Sequence, residues 1–190
     1  MQKAIGNILD KDFFVPYYQR GYRWGEEQVV ALLNDLLEFY KHIKKKTEGY
    51  NYYSLQPLVV KKDLDDKFRV IDGQQRLTTI YIILNAFESF AQTKDKNKYK
   101  LSYDREGSEN FLQDIKNDLY REKHKTDNID FSFFANAYDY VIIWIEDQKL
   151  NRIVKRIIQL ENENVKTREY NDEDIKKKIE KIIEEEIKCC

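Results

Sequence analysis

Apolar positions fall at two different periods along the chain, and the alternation between them marks out short strands and longer helices. Phe13-Phe14-Val15 is a brief apolar run closed by Pro16, which confines such a strand to an edge or an end. Val29, Leu33, Leu36, Leu37 and Tyr40 recur at helical spacing and predict a helix from Glu26 to about Lys46. Leu58-Val59-Val60 reads as a buried strand after Gln56-Pro57. The charged turn Asp63 to Asp66 makes strands 58–61 and 67–71 a hairpin. The stretch KFRVIDGQQRLTTIYIILNAF, Lys67 to Phe87, then passes from strand to helix through Asp72-Gly73-Gln74-Gln75-Arg76.

Further on, Tyr99 to Tyr103 predicts another short strand, and Ser108 can cap a helix running through Tyr120 with the stripe Phe111, Leu112, Ile115 and Leu119. Asp130 to about Lys149 is the most apolar helix, continued helically by Ile153 to Leu160. Asn171 is placed to cap a last helix. Its stripe, Ile175, Ile179, Ile182, Ile183 and Ile187, needs a partner surface. Thr47 to Asn51 and Thr93 to Lys100 read as polar loops. The expected fold class is α+β, a small mixed sheet with helices followed by a helical C-terminal part.

Composition narrows the partners. A chain of 190 residues, 42% hydrophobic, is long enough for one domain with a true core. Its 33 basic and 34 acidic residues leave a net charge of -1, so no global field draws it to nucleic acid or an anionic membrane, and any nucleic-acid contact must be local. Two adjacent cysteines, Cys189 and Cys190, neither staple a fold nor complete a metal site, which suits a reducing cytosol. No apolar run reaches the length of a membrane span. A cytoplasmic protein is expected.

The candidate chemistry gathers at the strand-to-helix turn. A glycine turn into a helix leaves backbone N–H groups without intrahelical partners, and the helix dipole adds partial positive charge there. Such a turn holds anions. Arg76, one turn in, adds a forked cationic donor suited to phosphate, or else pairs with a carboxylate; Gln74 and Gln75 can read a neighbouring oxygen or base edge. A second concentration, Pro16 to Trp24, holds three tyrosines, a tryptophan and two arginines in nine residues. Aromatic and guanidinium planes together stack on a base or surround a phosphate; equally, Tyr22 and Trp24 are anchors for the following helix. The loop from Tyr18 to Trp24 is expected to fold back over the glycine turn and share one pocket with it. Asp72 beside an anion site implies either a mediating cation such as magnesium or hydrogen bonds from its own turn.

Other motifs fall away. Asp35 is suited to pair with Arg20 or Arg76, His42 has no metal-ligand spacing, and the basic run Arg121 to Lys125 reads as solvated. No nucleophile elbow or Walker loop occurs.

Val15 to Trp24, then Tyr53-Ser54-Leu55 with Leu58-Val59-Val60, then Val70 to Thr79 resemble the N-terminal DGQQR domain of the GmrSD-type modification-dependent restriction endonucleases. Tyr103-Asp104-Arg105 followed by Phe111-Leu112 resembles that family's continuation, and the glutamine-proline and glycine turns are more distantly similar to ParB and sulfiredoxin-like folds. The resemblance implies a nucleotide-binding core over 1–105 and a helical extension over 106–190. It implies binding and hydrolysis of a nucleoside triphosphate with Mg2+, coupled to recognition or cleavage of modified foreign DNA in phage defence. By position, Tyr18, Gln19, Arg20, Gln56, Gly73, Gln74, Gln75 and Arg76 would bind nucleotide. Asp72, Gln75 and Arg76 would be catalytic, with Asp72 at the metal. The nuclease domain is expected outside this chain, in a longer protein or a partner.

Two alternatives stand beside this. One is a sensor module that binds nucleotide or DNA without turnover. The other is an interaction scaffold that forms homo-oligomers through the C-terminal helix.

Overall fold

The computed structural model describes residues 5–44, 53–63, 65–91, 98–167 and 172–188. The loop at Thr47 to Asn51, most of the loop at Thr93 to Lys100, and the Asn171 cap lie outside them. After a 3-10 turn at Ile5–Ile8, the elements are β1 (Asp12–Val15), α1 (Glu26–Lys44), β2 (Val59–Lys62), β3 (Phe68–Asp72), α2 (Gln74–Ala91) and β4 (Lys100–Tyr103). Four helices follow: α3 (Ser108–Gln113), α4 (Asp118–His124), α5 (Ile129–Thr167) and α6 (Asp172–Lys188). The fold is α+β with a mixed four-stranded sheet in the order β2-β3-β1-β4. None of the described helices is long and apolar enough to cross a membrane.

The predicted hairpin is present, β2 antiparallel to β3 with an irregularity between Val59 and Val60. Both β3 and β4 run parallel to β1, with Phe13 opposite Phe68 and Leu101. Alternation does the rest. Phe13, Val15, Val70, Leu101 and Tyr103 point to one face and are buried, whereas Arg69 and Ile71 point to the other and are not.

Buried tyrosines fasten α2 to this layer. Tyr22 and Thr79 share a hydrogen bond of 2.9 Å, Thr78 and Tyr103 share one of 2.6 Å, and the Tyr99 hydroxyl donates to the Leu77 carbonyl. Each of these five hydroxyls thus finds a partner in the core. Burial also pushes the Tyr22, Tyr99 and Tyr103 phenols well above their ordinary pKa, so they stay protonated. The same core continues past residue 105, because Phe111, Phe131, Phe134, Tyr138, Val141 and Ile145 belong to it.

Two expectations are corrected, and the continuation of the Asp130 helix through Leu160 is as expected. The helix foreseen from Ser108 through Tyr120 is two helices, broken at Asp114 to Asn117. There Asn117 caps α4 by accepting from the Tyr120 N–H at 3.2 Å, and Leu119, placed in the apolar stripe, is 86% exposed. Arg121 is not solvated. It is buried against the Tyr138 ring and paired with Asp118 at 2.8 Å and Asp139 at 3.1 Å. The segments from Asp130 and Ile153 form the single helix α5. The partner that the last isoleucine stripe needs is α5 itself, against which α6 packs, with Arg156 bonded to Glu185 at 2.8 Å.

Candidate functional site

Because β1, β3 and β4 are parallel, their C-terminal ends meet at one edge, and the segments leaving them meet there too. Ligand sites of α/β sheets gather at that kind of edge. From β3 the chain turns through Gly73 directly into α2. Gly73 has φ +90, and a Cβ there would lie 3.1 Å from Leu58 Cδ1 and 3.3 Å from the Pro57 carbonyl oxygen. Conformation and space both call for glycine. The N–H groups of the first turn of α2 then have no intrahelical partners.

The loop after β1 is stitched onto this turn by three glutamines. Gln19 donates its side-chain amide to the Ile71 carbonyl at 2.8 Å, and Gln74 donates to the Arg20 carbonyl at 2.5 Å. Gln75 donates to the Gly21 carbonyl at 2.9 Å and accepts from the Arg23 N–H at 2.8 Å. The expected fold-back of the loop onto the glycine turn is therefore present. Gln75, expected in catalysis, has both ends of its amide engaged in holding the loop. Gln74 is 4% exposed, and its Oε1 has no hydrogen-bond partner, an unmet acceptor beside the turn.

The family model described as GmrSD restriction endonuclease, N-terminal domain, matches residues 2–187. The chain belongs to this family. No match was found among curated proteins.

In this GmrSD N-terminal domain the remaining motif residues divide by direction. Arg76 reaches across to Gln56, donating to its Oε1 at 2.5 Å, while Gln56 takes the unusual φ of 37. Asp35 pairs with neither Arg20 nor Arg76; it accepts from the Tyr53 hydroxyl at 2.8 Å. Between α1 and residues 53–56 lies a cleft of about 290 Å³ walled by Trp24, Leu32, Asp35, Tyr53, Gln56 and Arg76. Tyr22 is a core anchor, stacked on Phe134, whereas Trp24 is half-buried and lines the cleft. Tyr18 turns elsewhere, toward the Arg69 guanidinium, which Asp63 and then Tyr18 hold above its ordinary pKa. Arg20 is exposed and makes no ion pair with any described residue. Asp72 is exposed too and accepts no hydrogen bond from its own turn among the described residues.

Sequence reasoning missed a cluster behind the loop. Asp130, in the first turn of α5 and 2% exposed, pairs with Arg23 through one oxygen and with Arg105 at 3.0 Å through the other. Arg105 also donates to the Gln19 carbonyl at 3.1 Å, and Arg23 to the Tyr22 carbonyl at 2.5 Å. Gly21 is required here as well, since a Cβ would meet the Asp130 carboxylate at 2.0 Å. The available signal was an acid placed within the most apolar helix.

Among the described residues, no group of three potential metal ligands occurs. That donor set does not form a cage. The exposed Asp72 carboxylate beside the glycine turn would suit magnesium only if the ion arrived with a triphosphate, because that ion keeps waters and takes its other ligands from the phosphates.

Proposed function

We propose that this domain binds a nucleoside triphosphate with Mg2+ at the Gly73 turn and hydrolyses it. In this reading, turnover is coupled to a nuclease domain that acts on modified DNA. The observation that carries the reading is the loop from Gln19 to Arg23, sewn onto the start of α2 so that the exposed Arg20 side chain, with no ion pair among the described residues, comes to a helix start whose first N–H groups have no intrahelical partners. The open N–H groups and dipole of α2 would take phosphate oxygens, Arg20 and Arg76 would flank them, and Gln74 Oε1 would accept from a ligand hydroxyl or a bound water. Asp72 would hold the hydrated magnesium, which supplies charge neutralisation when bound. Gln75 serves here as a positioning residue rather than a reacting one.

The test is equilibrium binding of nucleoside triphosphates with magnesium, together with phosphate release. Arg20→Ala and Arg76→Ala are each expected to weaken binding by roughly 1.5 to 3 kcal/mol, the range for hydrogen bonds to charged groups. Asp72→Asn is expected to lose the magnesium dependence. A folded wild type that binds no triphosphate overturns the reading. Binding without phosphate release selects a second one, a sensor without turnover. The full engagement of Gln75 favours it, leaving Asp72 and Arg76 as the motif's only groups for chemistry.

A further inference from the structure

The long helix α5 carries an apolar stripe that the fold leaves open. Ile143, Leu150, Val154 and Ile158 recur at helical spacing, which puts them on one side of the helix, and they are 44% to 59% exposed. A different side of α5 meets α6, where Leu160 is buried and Arg156 bonds Glu185. The open stripe runs about 22 Å along the axis and presents roughly 400 Å², a size at which the largest apolar patch of a monomer is often functional.

Charge decides what fits it. Asp147 stands in the gap between Ile143 and Leu150, an exposed acid in line with the four apolar residues, and the exposed Lys155 follows Val154. Neither side chain has an ion pair or hydrogen bond with any described residue. Within one helix the two are about 12 Å apart along the axis, too far to meet. A second α5 lying parallel and in register would set Asp147 against Asp147 and Lys155 against Lys155. Reversed about a two-fold axis near Asn151, it brings Asp147 of each copy beside Lys155 of the other, and lays Ile143 against Ile158 with Leu150 and Val154 between them. The stripe is thus complementary to itself in one direction only.

We propose that this stripe is a self-association surface, on which a second copy of the chain seats its own α5 antiparallel about Asn151. The patch is smaller than a permanent interface needs, so the dimer is expected to form in the micromolar range. It lies apart from the glycine turn, and this pairing does not rest on the triphosphate reading.

The experiment is sedimentation equilibrium of the whole chain at about 1 to 200 µM, with folding checked by circular dichroism and a thiol reductant present so that Cys189 and Cys190 cannot cross-link copies. Wild type is expected to show a monomer–dimer equilibrium. Leu150→Glu, which sets two acids near the axis, is expected to weaken association at least about tenfold. Lys155→Glu and Asp147→Lys should each weaken it about fivefold or more. The double variant Asp147→Lys/Lys155→Glu, which restores both pairs with their signs exchanged, should return to within about threefold of wild type. If Leu150→Glu does not fold, Val154→Ser reads the same seam, with a loss of about fivefold. A wild type that stays monomeric at the highest concentration overturns the proposal. So does a dimer that Leu150→Glu leaves intact, or a charge exchange that fails to restore association.

Discussion

Removing the Asp130 carboxylate tests whether the cluster behind the loop holds the site together. Asp130 is buried, its two oxygens serve Arg23 and Arg105, and both arginines also hold carbonyls of the loop. Taking one partner from a buried ion pair costs roughly 3 to 5 kcal/mol, because the other charge is left desolvated. Here the two guanidinium side chains remain 33% and 34% exposed, so water can reach them once the acid is gone. That lowers the expected cost of Asp130→Asn to about 2 to 3 kcal/mol. For a chain of this size each kcal/mol moves the midpoint by about 2 to 4 °C, so the fall should be about 4 to 12 °C. Urea denaturation followed by circular dichroism gives the free energy, and the thermal midpoint checks it. A loss below about 0.5 kcal/mol, the level of an ordinary surface change, would refute the assignment.

Gly73→Ala should cost about 1 to 3 kcal/mol in denaturation, since alanine is strained at φ +90 and its methyl crowds the Pro57 carbonyl; a neutral substitution would show that the turn relaxes freely. Tyr103→Phe should cost about 1 to 2 kcal/mol by stranding the Thr78 hydroxyl in the core, and a stability equal to wild type counts against that bond. Glu88 is pushed up by burial but pulled further down by Lys98 and Lys116, at 2.8 and 3.0 Å, so its carboxyl lies below the usual range. A lowered folded-state pKa stabilises above the unfolded value and is lost as pH falls through the folded one. The stability advantage over Glu88→Gln should therefore be full at neutral pH and close on acidification below the usual carboxylate range. An advantage that widens toward acid contradicts this.

What was readable in advance is what is encoded locally. The hairpin, the glycine turn and α1 follow from apolar spacing and turn residues within a few positions of one another. Asn117 shows where that fails, since a capping side chain ended one helix and began another inside an apparently continuous stripe. Arg121 shows a second failure. Two of its partners, Tyr138 and Asp139, lie on α5, so a run that looked solvated contributes a buried cation. The motif residues were legible as a group but not in their duties. Gln75 and Gln74 are chemically alike and adjacent, yet one is fully engaged and the other keeps an unmet oxygen, a difference set by where the loop backbone lies.

The length of α5 has a mechanical consequence. Its 39 residues make a rod of about 58 Å, rooted at Asp130 and locked into the core as far as Ile145. The remaining stretch, more than half of the helix and with α6 alongside, is a cantilever of about 33 Å from Ile145 to Thr167. Bending of that free length is absorbed at the clamp and does not tilt the root. A slide or twist along the helix axis does reach Asp130, whose two ion pairs tolerate about an ångström before they open. Force applied at the far end is thereby filtered by direction, and only its axial part can be felt by the loop that carries Arg20.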